Sequence, residues 1–351
     1  MAGGIGSRFW PASRANYPKQ FLDIMGTGKS LIQETFDRFS KFCLKENIFI
    51  ITNKSYADTV LEQIPDITKQ QILIEPLRRN TAPCVCYFSH KIKAINPNAI
   101  TVIAPSDHIV QNQGVFEETI LNAVEFAQKS NALVTLGVQP SRPDTGYGYI
   151  QHTTESAEEG VFKVKTFTEK PDRKLAETFI QSGDFLWNSG IFIWSANTIV
   201  QEFEKHQSEI NEIFAEGVDA YNTPDEPSFI NSAYSMCTNI SIDYGIMEKA
   251  EDVFVIPADL GWSDLGTWTS LYEQYEKDYV GNAVSGDNVM VYDTSNSMIM
   301  VPNGKLVVLQ GLEDYFVVDT DDVLMICKKD NEGIIKQITA DIKQQQGDDF
   351  L

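Results

Sequence analysis

The sequence is short of positive charge, of histidine and of patterned cysteine. Lys and Arg number 28 against 49 Asp and Glu, a formal charge of −21. Such a chain repels nucleic acid and anionic membrane as a whole, so neither is expected as a partner. The histidines, His90, His108, His152 and His206, form no constellation. The cysteines, Cys43, Cys84, Cys86, Cys237 and Cys327, are odd in number and irregular in spacing. Reduced thiols are therefore expected rather than a disulfide framework. No run of about 18 apolar residues occurs and no secretory leader is read at the start. The expected location is the cytoplasm.

Against this background the first residues stand out. Gly3, Gly4, Gly6 and Ser7 let the backbone approach a ligand closely and expose its N–H groups. Arg8, Arg14 and Lys19 surround that loop with cations. The combination suits a polyphosphate. It is not the dinucleotide fingerprint, because Phe9 stands where the third glycine belongs. Nor is Gly28-Lys29-Ser30 a Walker loop, since Asp23 replaces the required glycine; Gly26–Lys29 reads as a turn between short strands. Lys19 follows Pro18, which holds its segment extended. A lysine there can bring a point charge to a phosphate, whereas Arg8 can bridge two oxygens. Arg14 can do the same or pair with an acid.

Apolar runs alternate with amphipathic stretches. Residues 47–52, 71–74, 99–104 and 132–137 read as strands, and 56–63, 82–95 and 115–130 as helices. This alternation predicts an α/β fold: a Rossmann-like mixed, mostly parallel sheet covered by helices. Ligands of such sheets sit at the carboxyl ends of the strands. Residues 147–194 are mixed β with one helix. Three helical stretches follow between about 198 and 233, then a strand at 253–257 and a helix at 265–276. From about Gly281 the pattern becomes short β pieces between turns, with one helix at 334–344. Two domains are expected: 1–280, carrying the chemistry, and a small β-rich 281–351. A β-helix-like coil is allowed by the latter but not demanded.

Several polar segments follow strands. In Glu75–Pro83, a carboxylate at Glu75 can accept from the two adjacent donors of guanine. Asn80 and Thr81 can assist it or cap the next helix. Asp107, in Pro-Ser-Asp-His, and Asp264, in Trp-Ser-Asp-Leu-Gly, are either helix caps or ligands for a hard cation such as magnesium. His108 reads as a structural hydrogen-bonder. Gly148, in the Gly-Tyr-Gly-Tyr-Ile turn, can present backbone to a sugar. Glu169 and Lys170 can meet sugar hydroxyls and a second phosphate, or merely lie on the surface. Asn188 can bind hydroxyls or form a turn.

Taken in order, these pieces resemble the sugar-1-phosphate nucleotidylyltransferase family, and in detail its mannose-1-phosphate guanylyltransferase branch. The matching runs are Ala-Gly-Gly-Ile-Gly-Ser-Arg-Phe-Trp-Pro-Ala-Ser-Arg from Ala2, Pro-Lys-Gln-Phe from Pro18, and Glu-Pro with Arg-Asn-Thr-Ala-Pro from Glu75. Pro-Ser-Asp-His, Gly-Tyr-Gly-Tyr-Ile, Glu-Lys-Pro, Trp-Asn-Ser-Gly-Ile-Phe and Trp-Ser-Asp-Leu-Gly-Thr-Trp complete the set. The resemblance implies GTP and α-D-mannose 1-phosphate as substrates and Mg²⁺ as cofactor. It implies Arg8 and Lys19 as catalytic groups. It places Gly3, Gly4, Gly6, Ser7, Glu75, Asn80 and Thr81 on the nucleotide, and Gly148, Glu169, Lys170 and Asn188 on the sugar phosphate. Asp107 and Asp264 would hold the metal. It also implies a homodimer through the C-terminal domain. Two departures are noted. The family's first strand normally precedes Ala-Gly-Gly, and here Met1 stands where that strand would be ending, so exposed ladder groups are expected. Longer members carry a cupin-type isomerase domain beyond the position of Leu351, so isomerase activity is not expected.

Overall fold

The computed structural model describes residues 1–4 and 6–351. Ile5, inside the glycine loop, lies outside them. Ser30 caps helix α1 (Leu31–Phe39) through a capping box with Gln33, and Leu31, Ile32 and Phe36 supply its buried face. The sequence suggests strands on both sides of the Gly26–Lys29 turn. The turn is present, with Asp23 accepting from the Thr27 and Gly28 amides, but it feeds a helix.

Strand β1 (Ile50–Asn53), helix α2 (Ala57–Gln63) and strand β2 (Ile72–Glu75) form a parallel unit, followed by helix α3 (Thr81–Ile95) and strand β3 (Ile100–Ile103). The chain start threads between β1 and β3: the Ala2 amide donates to Ile51 O, and the Met1 amine to Ala104 O. Beyond Met1, β1 and β3 face each other across an apolar cleft of about 550 Å³ lined by Ile50, Ile51, Val102 and Ile103. Apart from the Ala2 bond to Ile51, no described strand pairs with their facing edges.

A short strand β4 (Ile109–Val110) precedes helix α4 (Gln113–Ser130) and strand β5 (Leu133–Val138). The hairpin β6 (Gly148–Glu158) and β7 (Val161–Glu169) leads through helix α5 (Arg173–Ser182) to the long strand β8 (Phe185–Ser195). Helices α6 (Ala196–His206), α7 (Ser208–Ala215) and α8 (Glu226–Met236) then pack over α3, and strand β9 (Val253–Pro257) returns to the sheet. The strand order is β3-β8-β5-β9-β7-β6. The sheet is mixed and helix-covered, as expected, but less parallel. Only β5 and β9 pair in parallel within it, because β8 runs antiparallel to both β3 and β5 and β7 antiparallel to β9. Apolar runs reveal that a strand is buried, not which way it points. Phe192, Trp194 and Phe203 fill the core on one side of it, and Ile193 the core on the other. Each such side chain contributes about 2–3 kcal/mol by burial.

Strand β10 (Trp262–Ser263) pairs antiparallel with β4, and helix α9 (Trp268–Gln274) follows, capped by Thr267. The tail is a coil of parallel strands. β11 (Ala283–Ser285), β12 (Val289–Tyr292), β13 (Met298–Met300), β14 (Val307–Gln310) and β15 (Tyr315–Asp319) alternate between two faces. β11, β13 and β15 stack on one face, β12 and β14 on the other. β16 (Leu324–Lys328) closes the first face antiparallel, and helix α10 (Ile335–Gln346) ends the chain's regular structure. No described helix is long and apolar enough to cross a membrane.

The tail is not a free appendage. Phe9 and Trp10 of the glycine-loop segment share one buried cluster with Trp268, Leu271, Phe316, Val318 and Met325. Arg14 joins Asp322 at 2.7 Å and donates to Phe350 O. Of the two roles open to Arg14, pairing with an acid is the one the fold uses.

Candidate active site

The glycine loop closes over Lys19. Gln20 Nε2 donates to Ala2 O and Gly4 O, fixing the loop's start. Gly6 has φ +55°, and a Cβ there would lie 2.7 Å from Ser13 Oγ and 2.9 Å from Lys19 Cβ. Only glycine fits. Ser7–Phe9 then forms a single 3-10 turn that leaves Ser7 and Arg8 exposed. The amides of Gly3, Gly4, Gly6 and Ser7 have no acceptor among the described residues, and Arg8 has no ion partner there. A loop of unpaired N–H groups beside such a guanidinium is a cradle for an anion.

Pro18 is extended, as expected, and Lys19 opens a second 3-10 turn, Lys19–Phe21. Lys19 is 4% exposed. Its ammonium donates to Asp264 O at 2.7 Å and Leu265 O at 3.0 Å, and meets Asp107 Oδ2 at 3.1 Å. All three protons are thus directed. Leu265 accepts this arrangement at φ +45°, an unusual conformation for a branched residue. Burial works to raise the Asp107 carboxyl, but the charges of Lys19 and His108 outweigh it and hold it below its ordinary value. Burial pushes the His108 imidazole down; its Nδ1 accepts from the Trp262 indole, a structural role.

Asp107 and Asp264 do not cap helices. Asp107 precedes β4, and the cap of α9 is Thr267. Asp264 Oδ1 instead accepts from Tyr147 Oη at 2.7 Å and from the Gly266 amide at 2.8 Å. Its Oδ2 is left without a donor among the described residues. The ammonium thus holds the Asp107 carboxylate and the backbone of the segment that carries the Asp264 carboxylate, and carboxylates are the ligands a hard cation takes alongside phosphate oxygens and water. No group of three or more His, Cys, Asp or Glu gathers among the described residues, so the protein would supply only this pair.

Glu75 ends β2 beside the loop: a Cβ on Gly3 would lie 3.1 Å from its Oε2. Burial pushes its carboxyl up to about 7, against the lowering effect of the Tyr234 hydroxyl. Asn80 is the cap of α3, accepting from the Thr81 amide, and Thr81 Oγ1 accepts from the Ile242 amide.

A third group lies past Tyr147. Gly148 pairs with Glu169 across the hairpin, and a Cβ on it would lie 2.5 Å from Glu169 Oε2. Lys170 Nζ is bound to Glu169 Oε1. Burial opposes the Lys170 charge, yet the carboxylate holds its pKa above the ordinary value. Asn188 Nδ2 donates to Asp243 Oδ1 at 2.9 Å, while its Oδ1 accepts from the Gly190 amide. Burial, then the charge of Glu169, lifts Asp243 to about 6. Asp243, Tyr147 and Gln20 are absent from the sequence expectations. Asp243 starts a π-turn, Asp243–Met247, inside an apolar run, a local irregularity that frequently marks function.

Three poles therefore meet. The Glu75 carboxylate, the anion cradle at Lys19 and the acceptor group of Glu169, Asn188 and Asp243 are linked through Gly3 and Tyr147. Residues 1–279 match the family model for nucleotidyl transferase.

The chain belongs to the nucleotidyl transferase family.

Residues 286–341 match the MannoseP isomerase/GMP-like beta-helix domain, which agrees with the coiled tail. Over 98% of its length this nucleotidyl transferase is 37% identical to the alginate biosynthesis protein AlgA of Pseudomonas aeruginosa, covering 72% of that protein. It is 36% identical over its full length to a mannose-1-phosphate guanylyltransferase of Klebsiella pneumoniae, covering 74% of it. Its fold is similar to the crystal structure of a Thermus thermophilus protein described as mannose-1-phosphate geranyltransferase, with TM-score 0.88, 28% identity and 98% of each chain covered.

Proposed function

We propose that the protein transfers GMP from GTP to α-D-mannose 1-phosphate, giving GDP-mannose and pyrophosphate. The observation that carries this reading is the meeting of Lys19, Asp107 and the Asp264 segment at the foot of a loop with unpaired amides. Relatives named mannose-1-phosphate guanylyltransferase support the choice of base and sugar.

A phosphate oxygen of the sugar phosphate attacks the α-phosphorus of GTP in line. The bond from that phosphorus to the bridging oxygen breaks, and pyrophosphate departs with the electron pair. The nucleophile is already an anion, so neither a strong base nor a covalent enzyme intermediate is required. The protein's work is to hold two anions together and stabilise developing charge.

The amides of Gly3, Gly4, Gly6 and Ser7 cradle the triphosphate, and Arg8 and Lys19 offset its charge. Lys19 reaches a phosphate by loosening its hold on Asp107. Asp107 and Asp264 would hold Mg²⁺, which would supply positive charge to screen the repulsion between the phosphates. Glu75 reads the guanine N–H pair, with Thr81 and Asn80 shaping the base's floor. Lys170 meets the sugar phosphate, and Glu169, Asn188, Asp243 and the backbone at Gly148 accept from its hydroxyls. A homodimer would form through the tail, whose outer faces expose Met290, Tyr292, Val308, Leu324 and Ile326; sedimentation tests this.

The deciding experiment mixes purified protein with GTP, mannose 1-phosphate and Mg²⁺ and follows pyrophosphate. Stoichiometric release with GDP-mannose is expected, and much slower release with ATP or glucose 1-phosphate. Preference for another pair would make it a sibling transferase. No release at saturating substrates would make it a nucleotide-sugar sensor.

A further inference from the structure

Arg38 sits in the last turn of α1 and is 4% exposed. Its Nε is buried without an acceptor, and no described carboxylate is within salt-bridge distance of it. The ring of Phe116, 5.5 Å from the guanidinium, is its one partner among the described residues. Burial, only partly opposed by Glu34, lowers its pKa to about 10, so it stays charged at neutral pH. A buried, unpaired cation is costly. It is also out of place in a chain of net charge −21, where acids are plentiful.

Arg38 lines a cavity of about 440 Å³, a size that holds a small metabolite. Lys41, exposed and without an ion partner among the described residues, lies on the same wall, as does Gln113. Gln113 Oε1 is buried with no donor. The two acids of the wall are held by partners within it: Asp37 pairs with Lys29 at 2.6 Å, and Glu34 accepts from the Thr27 hydroxyl at 2.7 Å. The cavity therefore offers an unmatched donor fork, an ammonium and an unmatched acceptor. An oxyanion answers the first two and a hydroxyl answers the third.

We propose that this cavity is a second anion site, which takes a small hydroxylated phosphate monoester with Arg38 and Lys41 on the phosphate and Gln113 on a hydroxyl. The site does not rest on the transferase reading. Its occupant reaches the candidate active site through one element. Ile109 and Val110 line the cavity and form β4, which pairs with β10. β4 follows Asp107 and β10 precedes Asp264, so a ligand here braces the ribbon that holds the two carboxylates apart or together. It acts as an effector of that geometry.

Thermal-shift titrations with glycerol 3-phosphate and with inorganic phosphate test the proposal. Glycerol 3-phosphate should raise Tm saturably and bind tighter than phosphate. Lys41→Gln, a surface change, should weaken its apparent affinity about tenfold, the loss of one charge-assisted contact. Gln113→Ala should erase its advantage over inorganic phosphate, and Arg38→Gln, where folded, should abolish saturation. Lys19→Ala should keep the response, separating this site from the glycine loop. A response unchanged by Lys41→Gln, one lost in Lys19→Ala, or one that never saturates overturns the proposal.

Discussion

The Lys19 ammonium lies 3.1 Å from the Asp107 carboxylate and spends its other protons on the carbonyls of Asp264 and Leu265. One buried cation thus neutralises one candidate metal ligand and fixes the segment that carries the other. Removing it should lower turnover by about two orders of magnitude or more, the scale of a lost charge-stabilising group. Lys19→Ala, assayed for pyrophosphate release and checked for fold by circular dichroism, tests this. Near-normal turnover would remove Lys19 from the mechanism.

Asp264 keeps one oxygen for a ligand because Tyr147 occupies the other. Asp264→Asn should raise the magnesium concentration at half-maximal rate by about tenfold or more, and Tyr147→Phe by a smaller factor, as an orienting partner does. A magnesium titration of both variants reads the effect directly. An unchanged titration in Asp264→Asn would leave that side chain a purely local role.

Glu75 makes a pH-dependent prediction. Its carboxyl is raised from 4.5 to about 7 in the folded protein. The folded state then holds a proton that the unfolded state releases. Its contribution to stability is full below about pH 4.5 and is lost as pH rises through about 7. In Glu75→Gln that dependence should vanish, so urea midpoints of the two proteins should diverge across this window. The proposed reading of guanine needs the ionised carboxylate. KM for GTP should therefore fall as pH climbs through about 7, and the variant should show neither the fall nor the preference for GTP over ATP.

Arg14 ties the glycine-loop segment to the tail through Asp322 and Phe350 O. Arg14→Ala should cost about 2 kcal/mol, as charge-assisted hydrogen bonds do, and raise KM for GTP. Asp322→Ala should reproduce a smaller part of both effects. Urea denaturation and steady-state kinetics on the single and double variants measure the coupling.

Much of this arrangement was legible in the residues themselves. The glycine loop with Lys19, the two aspartates after strands and the β-rich tail carry their chemistry in short runs. Strand existence was readable from apolar runs, whereas strand direction was not, hence the surplus of antiparallel pairs around β8. Helix α1 did carry a signal, the Ser30-to-Gln33 capping box ahead of Leu31 and Phe36, which the neighbouring Gly26–Lys29 turn obscures. Asp243 gave no local sign of its partner, because Asn188 reaches it only through the fold. The same holds for Arg14 and Asp322, set far apart in the chain, and for Arg38, whose lack of an ion partner among the described residues no sequence pattern can announce.

Phe9 and Trp10 are packed in the same oily knot as Phe316 and Met325. The segment proposed to grip the nucleotide is therefore held from behind by the far end of the polypeptide. A loosened tail would be felt first as failing turnover, before any melting became visible.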